Sequence, residues 1–149
     1  YALDNADRIK GLGPNSWGMS ACISPSTGYS GAYGSYPIGA GYKLLEDGTV
    51  APYGALSFLP FTPKESIDAL NHMYQIPGLV GEYGLHDAYS YVTKANGDLP
   101  WIGKSYLGID KGLVLLMFEN YSTQLIWKLL HQNKSIQKGL KRLAFSQTN

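Results

Sequence analysis

The stretch Tyr106-Leu-Gly-Ile-Asp-Lys-Gly112, with the helix predicted to follow from Leu113 to about Gln132, constrains this chain more than any other part. The first turns of that helix, Leu113-Val-Leu-Leu-Met-Phe118, are apolar on every side. A helix of this kind is expected inside other elements rather than on a surface. Asp110 stands where an N-cap is expected, so its carboxylate can accept a backbone N–H and sit against the positive end of the helix dipole. Such donors favour the ionised form, which predicts a lowered pKa and suits a base better than an acid. Tyr106, Gly108 and Gly112 add an aromatic face and open backbone, and Glu82-Tyr-Gly-Leu-His-Asp87 forms a second polar cluster upstream. Carboxylates, tyrosines and glycines converging on a helix mouth point to a polyol or sugar site.

The 149 residues fit a single domain, here expected to be partial. The chain opens Tyr1-Ala-Leu-Asp-Asn with neither an initiator methionine nor a signal peptide, and is expected to be a piece of a longer protein. A formal net charge of +1 argues against a broad electrostatic grip on nucleic acid. The longest apolar run ends at Glu119, far short of the roughly 18 residues a spanning helix needs, so membrane insertion is not expected. One cysteine, Cys22, excludes an internal disulfide and a multi-cysteine metal site, and reads as a small buried hydrophobe in a helix. No metal or other cofactor is expected. Twelve tyrosines and eighteen glycines are interleaved with well-patterned helices, which argues against disorder.

Along the chain, Tyr1 to Lys10 reads as the end of a helix stopped by Gly11-Leu-Gly-Pro14. Asn15 and Ser16 can cap a short helix from Trp17 to about Ile23, ended by Ser24-Pro25. Ser24 to Val50 has no helical period; Asp47-Gly48 suits a type I′ turn, so a small hairpin is expected within Tyr42 to Val50. Ala51 to Leu59 reads as a short buried helix despite Gly54. Thr62-Pro63-Lys64-Glu65 is a capping box, with Pro63 at N1, and predicts a helix to about Gln75. Ile67, Leu70, Met73 and Tyr74 form its apolar side, making it an outer, half-exposed helix. Tyr89 to Trp101 suits a hairpin about Asn96-Gly97. A last helix, about Ser135 to Ala144, carries Lys138, Lys141 and Arg142 as a solvated face. The order is mainly α, outer amphipathic helices alternating with inner apolar ones. A toroid of helical hairpins and a plain bundle both satisfy it.

Hydrolysing a glycoside usually needs two carboxyl groups, one protonated and one ionised. Glu82, Asp87, Asp110 and Glu119 are the candidates. Asp110 leads, although it also reads as a plain helix cap. Glu82 and Asp87 lie in a loop where they can bind hydroxyls, act as the acid, or merely organise turns. His86 can orient one of them or touch substrate. Glu119, nine residues past Asp110, falls near the opposite side of the helix and roughly 13 Å along it, and reads as structural. Trp17, Tyr29, Tyr33, Trp101 and Tyr106 are candidate sugar platforms, since a flat ring covers the apolar face of a pyranose; for each, packing is the competing role.

Asp47-Gly-Thr-Val-Ala-Pro-Tyr53, Leu59-Pro-Phe-Thr-Pro-Lys-Glu-Ser66, Gly81-Glu-Tyr-Gly-Leu-His-Asp-Ala-Tyr89 and Tyr106-Leu-Gly-Ile-Asp-Lys-Gly112 with Glu119-Asn-Tyr121 resemble the C-terminal part of the glucoamylase-like domain family. That family includes bacterial endo-β-1,2-glucanases and a domain of cyclic β-1,2-glucan synthases. The resemblance runs from about Trp17 to Phe145. It implies an (α/α)6 toroid of which this chain supplies roughly the last half, with a glycan cleft at the N-terminal ends of the inner helices and Asp110 in that cleft. The chain departs from the family pattern at Lys111, where glutamine is more common, and at Ser122, where arginine is usual. The implied activity is hydrolysis of a β-linked glucan, with the absent N-terminal half as partner and a periplasmic or secreted location. A non-catalytic glycan-binding or structural segment is the alternative.

Overall fold

The computed structural model describes residues 1–31, 33, 47–94 and 99–146. Helix and strand are mixed, in place of the mainly helical expectation. Two short hairpins and a three-stranded sheet lie against a helical half. The first hairpin pairs β1 (Cys22–Ser24) with β2 (Gly28–Ser30), Cys22 opposite Ser30 and Ser24 opposite Gly28. The sheet has β6 (Ala88–Lys94) at its centre, between β3 (Thr49–Val50) and β7 (Pro100–Gly103), all antiparallel. The second hairpin joins β4 (Val80–Gly81) to β5 (Gly84–Leu85) through Glu82 and Tyr83, with Gly84 at φ +84°.

The helix expected over Trp17 to Ile23 is absent: Gly18 sits at φ +123° and the chain enters β1 instead. Gly18 must be bare for a second reason. A side chain there would meet the Ala51 carbonyl oxygen at 2.6 Å and the Ala55 nitrogen at 2.8 Å. Gly54 in turn packs its Cα side on Gly18, so two glycines let this loop lie directly on α1 (Pro52–Leu56). Tyr1 to Lys10 forms a succession of hydrogen-bonded turns rather than a regular helix. The expected hairpin at Asp47-Gly48 has its first arm outside the described residues, and Thr49 and Val50 pair with β6. The β6–β7 pairing matches expectation, while its turn at Asn96-Gly97 also falls outside the described residues.

Helix α2 (Pro63–Tyr74) starts at Thr62 with Pro63 in its first turn, as read from the sequence. The Thr62 hydroxyl makes no capping bond to the helix backbone; it lies 3.3 Å from the Ser66 hydroxyl. The buried face is Ser66, Ala69 and Met73, whereas Ile67 and Tyr74 are exposed. Ser66 belongs inside because its hydroxyl donates to the Ala55 carbonyl at 3.0 Å, tying α2 to α1. Met73 joins Val50, Leu56, Leu79 and Tyr89 in the main core. Each fully buried side chain of that size contributes about 1.5–3 kcal/mol. A smaller cluster holds Cys22, Tyr33, Ala51 and Ala88, so Cys22 is buried as expected, but on a strand.

The long apolar helix starts earlier and ends sooner than its pattern implied. Helix α3 runs Gly108–Thr123, Gln124 turns left-handed at φ 59°, and α4 (Leu125–Gln132) follows. The break is supported by side chains from the end of α3. Asn120 Oδ1 accepts from the Trp127 amide at 3.1 Å and the Thr123 hydroxyl oxygen accepts from the Leu125 amide at 3.1 Å, satisfying first-turn donors of α4. Nor do the described residues enclose α3: Ile109 is 79% exposed and Leu115 71%. Helix α5 (Lys134–Arg142) is capped by Asn133 and solvated as expected. No helix among the described residues is long and apolar enough to cross a membrane.

Replacing Gly18 by alanine should destabilise the fold by about 2–3 kcal/mol, because the left-handed backbone and two backbone clashes act together. A urea melt of Gly18→Ala that overlays the wild-type curve would contradict this packing.

Candidate functional site

Helix α3, α1 and the segment after β5 enclose a cleft of about 330 Å³. Its floor is aliphatic and aromatic, including Leu56, Val114 and Phe118, and its polar end carries His86, Asp87, Asp110 and Lys111. Asp110 is only 6% exposed. It is not the N-cap: Leu107 holds that place, and Asp110 lies in the first turn, on the side of α3 that faces the cleft.

Asp87 meets it from the opposite wall. The Asp87 Oδ2 accepts from the Ile23 amide at 2.6 Å, and the Asp87 amide donates to the Ser105 carbonyl at 3.0 Å. Asp87 Oδ1 and Asp110 Oδ2 are both buried and accept from no donor group among the described residues. The two carboxyls face each other at the polar end of the cleft, near enough that Asp87 disfavours the ionised form of Asp110. Burial first, and then Asp87 with its negative charge, push Asp110 up to about 6, while Lys111 pulls the other way. The lowered value expected of a capping carboxylate is therefore overturned: desolvation and a neighbouring acid outweigh the helix terminus. At this position Asp110 suits an acid.

Around the pair, Lys111 donates its ammonium to the Leu85 carbonyl and lies 5.6 Å from the centroid of the Tyr106 ring. Tyr106 stacks on His86 at 4.6 Å, and Tyr83 meets Tyr106 edge-on at 5.3 Å. Gly81 lets this cluster close, since a side chain there would lie 2.1 Å from the Tyr106 hydroxyl and 2.7 Å from His86 Nε2. Burial, then the positive charges of Lys104 and Lys111, hold His86 below its ordinary value, so near neutrality it is an uncharged donor or acceptor. Tyr29, 55% exposed on β2, lies close enough to feel both carboxylates: partial desolvation and then Asp110 and Asp87 raise its phenol.

The structure thus gathers Asp110, Asp87, His86 and Tyr106, with Tyr29 nearby. Other sequence candidates lie elsewhere. Glu82 is exposed on the β4–β5 turn and does not line the cleft. Trp17 packs against the main core and borders separate crevices with Tyr1. Tyr33 is only 4% exposed, its hydroxyl donating to Asp47 at 2.8 Å, so its ring has no face to offer a sugar. Trp101 packs on the Cys22 cluster. Glu119 bonds the Thr123 hydroxyl one turn along α3, which is structural as expected.

Sequence reasoning passed over Tyr53 and Lys111 as site residues. Tyr53 lines the cleft and donates its hydroxyl to Ser20 at 2.7 Å. Its place in the first turn of α1, directly after Pro52, was the available signal.

Two buried carboxyls thus stand at the polar end of a cleft, beside stacked rings. The chain belongs to the glycoamylase family, described as "Putative glucoamylase", whose model matches residues 1–134. It is 31% identical over 145 residues to an exo β-1,2-glucooligosaccharide sophorohydrolase (non-reducing end) of Parabacteroides distasonis, covering 96% of this chain and 18% of that protein. Among solved structures it resembles an endo-β-1,2-glucanase from Chitinophaga pinensis bound to sophorotriose and glucose, at 34% identity and a TM-score of 0.75. That match covers 98% of this chain and 32% of the other. A structure described as a "putative glucoamylase" from Bacteroides uniformis matches at 37% identity and a TM-score of 0.76, over 98% of this chain and 32% of that one. The chain therefore spans under a fifth of the curated relative and about a third of these solved structures.

Because its folded value lies above the ordinary 3.8, Asp110 costs stability once ionised. The cost is absent below pH 4, grows as pH rises to about 6, and is constant above. Asp110→Asn should melt higher than wild type at pH 7.5, with the gain vanishing near pH 4. A variant that melts lower at pH 7.5 would remove the strained-acid account.

Proposed function

We propose that this chain is part of a glycoside hydrolase acting on a β-linked glucan, β-1,2-glucan being favoured, with Asp110 and Asp87 as its proton-handling unit. The observation that carries the reading is the juxtaposition of these two buried carboxyls at the polar end of the cleft. Family membership and the names of the relatives supply the substrate class.

Protonated Asp110 donates to the glycosidic oxygen as the bond from that oxygen to the anomeric carbon breaks. Water adds to the carbon and gives its proton to a second carboxylate. Asp87 is not that base. Carboxyls that flank a scissile bond stand about 5–5.5 Å apart in retaining enzymes and about 6.5–9.5 Å in inverting ones, and a pair in contact leaves no room for sugar or water between its members. Asp87 instead favours the protonated form of Asp110. The second carboxylate comes from another part of the domain. In this proposal the chain is roughly the last half of an (α/α)6 toroid, whose N-terminal half supplies that group and covers the bare apolar side of α3. The exposed Ile109, Leu113 and Leu115 support such a cover. His86, Tyr106 and Tyr29 hold the sugar, and a polysaccharide substrate suits a periplasmic or secreted protein. A second reading, a glycan-binding or structural segment without turnover, draws on the fact that Asp87 and Asp110 form one contact pair and not two flanking groups.

The test is the full-length protein and its Asp110→Asn variant incubated with β-1,2-glucan, with reducing ends counted. Loss of a general acid should lower kcat by roughly 10²–10⁴-fold with KM changed little. Equal rates would take Asp110 out of the chemistry, and binding without turnover by the wild type would select the second reading. The pH profile gives a further check: kcat/KM should fall as pH rises through about 6, where Asp110 loses its proton. A profile flat from pH 5 to 8 would contradict an acid role.

A further inference from the structure

Two carboxyls do not stay in contact unaided. Each loses water on burial, and whenever both are ionised they repel across a cleft of low polarity. Asp87 has its own anchor in the Ile23 amide, but nothing in that bond draws it toward α3. The link between the two walls runs through Lys111. It follows Asp110 on α3, and its ammonium donates to the carbonyl of Leu85, two residues before Asp87. The ammonium lies 5.6 Å from the Tyr106 centroid, and Tyr106 stacks in turn on His86, between Leu85 and Asp87. A lysine serving only solubility would keep its ammonium in water, where all three donors are satisfied. This one reaches across a cleft wall to a main-chain oxygen.

We propose that Lys111 is a positioning residue for the carboxyl pair: by bonding the Leu85 carbonyl it ties the first turn of α3 to the segment that carries Asp87, and so keeps Asp87 against Asp110. Its catalytic consequence rests on the proton-donor reading of Asp110; its physical content does not. Asp110 is faced by Asp87 from the segment between β5 and β6, Cys22 and Tyr29 from the first hairpin, Tyr53 from α1, and Lys111 from its own helix. His86 feels Lys111 and Lys104 from the other side. Removing Lys111 thus has two opposite effects on Asp110. Loss of the positive charge raises its titration midpoint, and loss of contact with Asp87 lowers it.

A double-mutant cycle separates the two. The Asp110 carboxyl is titrated by ¹³C NMR in the full-length protein, with and without Asp87→Asn, first with Lys111 intact and then in Lys111→Met. No substrate is present, so the outcome is independent of the glycosidase reading, which the reducing-end assay decides separately. With Lys111 intact, Asp87→Asn should lower the Asp110 midpoint by about one pH unit, the usual reach of a contacting like charge. In Lys111→Met the same change should lower it by less than about half as much, because the pair has already loosened. Equal drops in both backgrounds would overturn the proposal and leave Lys111 as a bystander charge. Lys111→Gln, which loses the charge and shortens the reach, serves as a second background. If neither variant folds, the side chain serves stability rather than positioning, and the proposal fails.

Discussion

Asp87 is the point on which the rest of this structure turns. Its carboxylate takes the Ile23 amide from the first hairpin, its own amide gives to Ser105 beyond β7, and its side chain meets Asp110 on α3. The first hairpin and the stretch from Ser105 to Asp110, far apart in the chain, are thereby joined through one residue that is almost fully buried. A buried acid so placed is costly unless its oxygens find donors or a shared proton. One oxygen has the Ile23 N–H; the other has no donor among the described residues and lies at the end of the cleft that Asp110 shares. The hairpin, the central sheet and the start of α3 then cannot shift independently without breaking a bond in a poorly solvated place.

The same constraint shapes the chemistry. Asp110 occupies the first turn of a helix, where partial positive charge should favour ionisation by something like 0.3–1 kcal/mol. Burial and a second acid work against it and prevail, so the group keeps its proton to a higher pH. The cleft behind is apolar, with Leu56, Val114 and Phe118 on its floor, which keeps water from relieving that penalty. A polar end and a greasy floor divide the work: one holds the proton, the other keeps the field strong. The glycines serve the same end at close range, Gly81 admitting Tyr106 and His86, and Gly18 with Gly54 admitting a loop onto α1.

Much of the helical framework was legible because its signals are local. Thr62-Pro63 marks the start of α2, and the basic face of α5 reads as solvated from its period alone. The strands were harder. β1, β3, β4 and β5 are two or three residues long, too short for alternation to show, and β3 pairs with β6 some forty residues away. Trp17 to Ile23 reads as a helix because Asn15 and Ser16 resemble caps, while the left-handed Gly18 that overrides them is set by its contact with α1. The buried face of α2 went to Ser66 and Ala69 rather than Ile67 and Tyr74, because small residues let two helices approach and a hydroxyl can bond the Ala55 carbonyl across the gap.

The residue types of the site, Asp110 beside a glycine-rich turn and the Glu82 to Asp87 cluster, were written in the chain, and so was the family, whose motifs are contiguous runs. Which of those carboxylates meet was settled only by folding. Glu82 and Asp87 are five residues apart, yet the β4–β5 turn sends one to solvent and the strand after it carries the other inward. Proximity to Asp110, and the proton it imposes, is a property of distance and desolvation, and neither quantity exists until separate segments are packed together.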